Sequence, residues 1–344
     1  MAAISYCEAS NMYETVILEK VTPAIARLTL NRPQARNALS WQLMQELKQA
    51  LHDIDMDNDC RVVILTGAGR SFCAGLDLMD QADPASIEAA VGKMKAGPRL
   101  GMRSQEYMSE MTLMLRKIQQ PVIAAVNGHA YGGGLGLALA SDIRIAGKSA
   151  TFCTQFIRLG ISGCDVAVSY TLPRHIGASR AHDMILSARV VDAAQAESWG
   201  LITRLVEDEA LQDAALELAE TLCDFSPYGL ISTKQGMWAN LDAGSMEAAM
   251  RLENRNQILN GLSGDVEEAA AASESLGDQA RSLDELMAFF STSAAATATR
   301  AAAAPAVERR TANRPWSAPA GKSSAPARAP ARPAPKKAVH QDSG

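Results

Sequence analysis

Apolar and polar positions alternate through residues 13–21 and again through 24–30, with Thr22-Pro23 between the two runs. That period of two predicts a pair of strands joined as a hairpin. Pro33 ends the second strand, and after Ser40 the period lengthens: Leu43, Leu47, Ala50, Leu51 and Ile54 recur as one face of a helix that Ser40 is placed to cap. The run Val62-Val63-Ile64-Leu65 predicts a buried strand, and it ends in a loop carrying Gly67, Gly69 and Gly75. Residues 84–118 show two helical patterns flanking Gly97-Pro98, the second carrying Glu106, Tyr107, Glu110 and Met111 ahead of Leu113, Leu115 and Ile118. A further apolar run from Val122 to Val126 breaks at Asn127-Gly128, passes the triplet Gly132-Gly133-Gly134 and resumes as an apolar segment of helix length. The pattern there predicts a strand, a tight turn and a helix N-terminus. Short strands at 142–146 and 150–153 and helices near 209–224, 226–239 and 244–260 complete the reading.

Composition narrows the possibilities. The 344 residues are 47% hydrophobic with a net charge of -5, enough for one large domain with a sizeable core and no sign of a nucleic-acid partner. No basic stretch precedes an apolar run at the N-terminus, and no segment reaches about 18 uncharged apolar residues, so neither export nor a membrane span is expected. The six cysteines, at 7, 60, 73, 153, 164 and 223, lack C-x-x-C spacing and are expected to be reduced core thiols rather than disulfides or metal ligands. A cytoplasmic location follows from that expectation. Near Ser291 the composition shifts to Ala, Pro, Ser and basic residues: 291–344 holds nine Lys/Arg against two Asp/Glu and seven prolines. Such a segment cannot bury enough surface to offset its ordering entropy, and it is expected to be a disordered, solvated tail.

The glycine triplet is where chemistry is expected. The first N–H groups of a helix have no partner within it and lie at the positive end of its dipole, so they can bind a developing oxyanion. Glycine lets a ligand approach that closely. A second donor is expected from the Gly75 loop.

Phe72-Cys73-Ala74-Gly75-Leu76-Asp77-Leu78, taken with Asn127-Gly128-His129-Ala130-Tyr131-Gly132-Gly133-Gly134, resembles the crotonase (enoyl-CoA hydratase/isomerase) superfamily. The stretch Asn31-Arg32-Pro33 through Asn37-Ala38-Leu39-Ser40 is a third match, and the resemblance spans most of 14–265. It implies an α/β fold, a crotonase/ClpP-like spiral of ββα units over 1–205, followed by a C-terminal helical oligomerisation region over 206–290. The tail occupies 291–344. The resemblance further implies that the thioester oxygen of an acyl-CoA is held by the amides of Leu76 and Gly133. Arg36 would meet the CoA phosphates, and Ala38, Ala74, Gly75, Asp77, Leu78, Tyr131, Gly132 and Phe156 would line the substrate. No cofactor is implied, because coenzyme A enters as part of the substrate, and the implied assembly is a homotrimer or hexamer.

The chain also departs from the family. Similar hydratases use two glutamates, and at those positions stand Gly136 and Phe156, neither of which can move a proton. Each lost acid/base group removes about 10²–10⁴-fold of rate. Asp165, nine residues beyond Phe156, resembles the aspartate of dienoyl-CoA isomerases and 4-chlorobenzoyl-CoA dehalogenases and is the first candidate acid/base. Its other reading is an N-cap bonded to the amide of Ala167 or Val168. Glu106 and Glu110 stand in reserve, Tyr131 could donate a hydrogen bond, and Asp77 is expected to pin its loop or cap the following helix. The dehalogenase histidine has no counterpart between His52 and His129. A methionine-bearing face near 98–118 fits either an acyl cover or plain core. After 265–272 the family's phenylalanine with trailing basic residues is missing, and the similar pattern at 284–290 lacks the lysine. Three readings stay open: an enoyl-CoA hydratase/isomerase-type enzyme, a lone-carboxylate acyl-CoA hydrolase or dehalogenase-like enzyme, and a non-catalytic acyl-CoA binder.

Overall fold

The computed structural model describes residues 13–264, all within the first of two units, Met1–Gln279 and Ala280–Gly344. The expected tail, the 265–290 region and Cys7 lie outside the described residues. The chain opens with the hairpin foreseen in its alternation: β1 (Val16–Thr22) and β2 (Ile25–Leu30) pair antiparallel, Val16 opposite Leu30. Helix α1 (Trp41–Asp55) starts where Ser40 Oγ accepts from the Leu43 amide at 3.1 Å. Its Leu43, Met44, Leu47, Leu51 and Ile54 are fully buried, and each such side chain stabilises by roughly 1.5–3 kcal/mol.

Strand β3 (Val62–Gly67) follows, buried at every position, then the short helices α2 (Leu78–Gln81) and α3 (Pro84–Val91) and the long α4 (Pro98–Lys117). Next come β4 (Val122–Val126), β5 (His129–Tyr131), α5 (Gly133–Ala140), β6 (Ile143–Gly147) and β7 (Thr151–Cys153). Helices α6 (Val168–Ile176) and α7 (Ala178–Ser187), β8 (Val191–Asp192), α8 (Ala193–Trp199) and β9 (Arg204–Val206) lead to three C-terminal helices. These are α9 (Leu211–Cys223), α10 (Pro227–Asn240) and α11 (Met246–Gly261).

The main sheet has the order β1-β2-β3-β4-β6-β9, parallel throughout except for the first hairpin. Parallel strands need both faces covered. One face packs Leu28, Val63, Leu65 and Ala124 against α1, α4 and α5, while Ile25, Val62, Ile64, Ile123 and Ile145 on the other meet Leu211, Ala215 and Ala219 of α9. A smaller sheet, β5-β7-β8, stands apart from the first. The turn expected after Asn127-Gly128 therefore contains a strand, and β8 and β9 were likewise not foreseen. Elements of two or three residues are too short to impose a period on the sequence.

Helix α10 is tied to the core by a buried cation. Lys234 Nζ donates to the carbonyls of Leu115 (2.9 Å) and Gln120 (2.8 Å) and pairs with Asp142 Oδ2 at 3.0 Å. Trp238 Nε1 donates to the other oxygen of Asp142 at 2.6 Å. Burial lowers Lys234 from its ordinary lysine value, and Asp142 opposes the shift. Among the described residues no helix is long and apolar enough to cross a membrane.

Candidate active site

Two loops meet at the N-terminus of α5. The chain around Leu39 runs beside the Gly75 loop as an isolated parallel bridge: Leu39 N–H donates to Gly75 O (2.8 Å) and Asp77 N–H to Leu39 O (3.1 Å). In such a pairing the residue between the two bonded groups turns its own N–H away from the partner strand. That residue is Leu76. On the far side, Cys73 N–H donates to His129 O (2.9 Å), Tyr131 N–H to Cys73 O (3.0 Å) and Gly132 N–H to Cys153 O (2.9 Å). The ladder ends there, and Gly133 begins the helix.

Among the described residues, neither the Leu76 amide nor the Gly133 amide donates to a protein acceptor. The two are close. A Cβ placed on Gly75, the residue preceding Leu76, would lie 3.5 Å from Gly133 N and 2.9 Å from Tyr131 O. Gly75 also has φ +95 and Gly132 φ +51, backbone that side chains rarely tolerate. Glycine at both positions is thus explained by local geometry.

The loops are held by buried side-chain amides. Asn37 Nδ2 donates to Ala68 O (3.0 Å) and Ser71 O (2.6 Å), while its Oδ1 accepts from Arg32 N–H. Asn127 Nδ2 donates to Gly67 O (2.7 Å) and Gly69 O (2.9 Å). Both asparagines stand in the matched motifs, but the sequence alone gave them no role.

Of the expected substrate residues, Arg36 is exposed and has no side-chain partner among the described residues, while its carbonyl accepts from Ala74 N–H at 3.0 Å. Ala38 O accepts from Arg32 Nη1, and Arg32 Nη2 pairs with Asp77 at 2.9 Å. Asp77 caps α2 as foreseen, accepting from Asp80 N–H. Burial alone would raise Asp77, but the bonds from Arg32 and the Asp80 amide outweigh it and hold the carboxyl below its ordinary value. Leu78 opens α2 with its side chain exposed. The Tyr131 hydroxyl shares a hydrogen bond with Thr151 Oγ1 at 3.2 Å, in which either oxygen can be the donor. Phe156 is buried, its ring 3.6 Å from where a Cβ on Gly132 would sit.

Gly136, at the first glutamate position, has no room for a side chain: a Cβ there would meet Val166 Cγ2 at 2.9 Å, Val166 O at 3.2 Å and Thr112 Cγ2 at 3.5 Å. That packing seats the residue after Asp165 against α5, about one helical turn from Gly133. The Asp165 carboxylate is not the N-cap considered above, because Val168 N–H bonds to the main-chain oxygen of Asp165 (2.8 Å). Its Oδ1 accepts instead from Val166 N–H at 2.8 Å and from Gln105 Nε2 of α4. Oδ2 has no partner among the described residues. Gln105 was not foreseen, since a lone glutamine on a helix carries no spacing signal.

The reserve carboxylates point elsewhere. Glu106 pairs with Arg103 at the surface, and Glu110 pairs with Lys48 at 2.7 Å. The hydrogen bond from Lys48 holds Glu110 below its ordinary value, which keeps it ionised rather than ready to donate a proton. On the same helix Met108 and Met111 are buried in the main core. Cys60, Cys73 and Cys153 are buried free thiols as expected, and burial pushes Cys60 and Cys73 up to about 12; Cys164 is exposed and is not a core residue. Among the described residues, no group of three or more His, Cys, Asp or Glu side chains is arranged to hold a metal ion.

Residues 20–276 match the family model described as "Enoyl-CoA hydratase/isomerase". The chain is 44% identical over 258 residues to the Mycobacterium tuberculosis protein named "Probable enoyl-CoA hydratase EchA12", covering 75% of this chain and 89% of that one. It is 37% identical over 257 residues to the 1,2-epoxyphenylacetyl-CoA isomerase of Escherichia coli, covering 74% and 94%. Among solved structures, a "probable enoyl-CoA hydratase/isomerase" from Mycobacterium abscessus superposes with a TM-score of 0.70 at 41% identity, covering 76% of this chain and 96% of that one.

Proposed function

Because the chain belongs to the enoyl-CoA hydratase/isomerase family, we propose that it moves a double bond in an acyl-CoA thioester with Asp165 as its single acid/base group. The thioester oxygen sits between the amides of Leu76 and Gly133. Asp165 takes a proton from the carbon chain, the electron pair shifts through the conjugated system to the thioester oxygen, and the negative charge is met there by the two N–H groups. Returning the same proton to another carbon completes the isomerisation without water.

The observation that carries this reading is the pair of neighbouring amides left without protein acceptors beside a glycine that admits no side chain. Preorganised donors of this kind contribute roughly 2.7–4 kcal/mol each to an oxyanionic transition state. Isomerisation is favoured over hydration because one carboxylate can both remove and return a proton, whereas Gly136 and Phe156 offer no second group to handle water. Relatives are named for both activities, a hydratase at 44% identity and an isomerase at 37%, so the choice rests on the carboxylates.

The test is a panel of enoyl- and dienoyl-CoA thioesters followed by ultraviolet absorbance and product mass. An isomerase changes the absorbance without changing the mass, while hydration adds one water and hydrolysis releases free CoA. Asp165→Asn should lower kcat by about 10²–10⁴-fold with acyl-CoA binding retained. Wild-type turnover in that variant removes Asp165 from the mechanism.

A further inference from the structure

We infer that Gln105 is the positioning residue of the Asp165 carboxylate, fixing Oδ1 as an acceptor so that Oδ2 is the oxygen that carries the migrating proton. This rests on the reading of Asp165 as the acid/base group. Both protein donors, Gln105 Nε2 and Val166 N–H, converge on Oδ1, and among the described residues none reaches Oδ2. A carboxylate held through one oxygen cannot flip freely, so its two oxygens become chemically distinct.

Three features say that this arrangement is imposed rather than incidental. First, Gln105 lies on the inward row of α4 with Met108, Thr112 and Leu115 at helical spacing, the last three buried, and is itself half-buried. Its amide therefore comes from a packed surface. Second, the backbone after Asp165 is strained. Val166 has φ 37 and Ala167 φ 63, and a β-branched residue in the left-handed region is an outlier held only by its surroundings. Those surroundings include Gly136, where an added Cβ would meet Val166 Cγ2 at 2.9 Å, so Val166 fills the space that a side chain there would need. Third, the neighbouring acids of α4 are neutralised elsewhere, Glu106 by Arg103 and Glu110 by Lys48, leaving Gln105 as the helix's polar contact to Asp165. The balance of the step is simple: Oδ2 gains the proton as a C–H bond breaks and loses it as another C–H bond forms.

The experiment is kcat and KM for the thioester in Gln105→Ala, Gln105→Glu and Asp165→Asn in the full chain, with thermal melts to check folding. Loss of orientation should lower the kcat of Gln105→Ala about 10- to 100-fold, with KM for the thioester within about threefold. Gln105→Glu, nearly isosteric, replaces the donor amide by a carboxylate that only accepts, so its kcat should fall at least as far. A mere tether between helix and loop would change the melting temperature but not kcat. Wild-type kcat in both Gln105 variants, alongside an inactive Asp165→Asn, would overturn the inference and leave the Asp165 reading intact. Full activity of Asp165→Asn would overturn both.

Discussion

Replacing Gly75 by alanine tests the proposed oxyanion site most directly. The new Cβ would stand 2.9 Å from Tyr131 O and 3.5 Å from Gly133 N, at a residue with φ +95. Tyr131 O belongs to a backbone already fixed by the bond from its own N–H to Cys73 O, so it cannot swing aside as a side-chain end would. The Gly75 loop has to move instead, and Leu76 moves with it. Backbone strain of about 1–2 kcal/mol leaves a domain of ordinary stability folded. Displacing one donor from the thioester oxygen costs roughly 2.7–4 kcal/mol in the transition state, a fall in kcat of about 10²–10³-fold. Gly133→Ala is the matched comparison, because its Cβ would press on a side-chain end, Leu39 Cδ1 at 2.8 Å, and meet backbone only at an ordinary contact distance, Gly75 Cα at 4.0 Å. That variant should lose about tenfold or less, since a side-chain end can give by a few tenths of an ångström. The assay is kcat and KM on the thioester turned over by the wild type, with circular-dichroism melts for both variants. A folded Gly75→Ala protein with kcat within about threefold of wild type would refute the claim that the Leu76 amide stabilises the transition state.

Two further outcomes follow from buried charge. His175 is held down to about 4, first by burial and then by the neighbouring Arg144 guanidinium, against 6.5 for an exposed histidine. The unfolded chain therefore binds this proton more tightly, so the stability contribution is complete above about pH 6.5 and is lost as pH falls from there towards about 4. Between pH 7 and pH 5 wild type should lose about 2 kcal/mol more than His175→Gln in urea titrations, and equal losses would contradict it. Lys234→Met takes the cation from Asp142, which among the described residues keeps only the N–H donors of Trp238 and Val122, and removes the Lys234 donor from the carbonyls of Leu115 and Gln120; it should cost about 3–5 kcal/mol by urea unfolding, as breaking a buried pair does. A loss below about 1 kcal/mol would mean that α10 is held chiefly by apolar packing.

The sequence made legible whatever repeats or punctuates. The hairpin, the Ser40 cap, the breaks at Gly97-Pro98 and the helices after 209 appear where the period or the capping chemistry placed them. The two glycine loops also announced their own meeting, because glycine is required wherever backbone approaches backbone. What stayed hidden depends on contacts between residues far apart in sequence. Gln105 and Asp165 are 60 positions apart, Lys234 and Leu115 are 119 apart, and no local pattern marks either pair. The same distance in sequence explains why Asp165 looked like a helix cap: the run that follows it resembles a helix start, but Val166, packed beside Gly136, has φ 37, Ala167 has φ 63, and the helix begins only at Val168. A side chain at position 136 would occupy the space that Val166 fills, so the glycine there follows from the packing of the loop that carries Asp165. The absence of a glutamate at 136 is thus explained by geometry as well as read from composition.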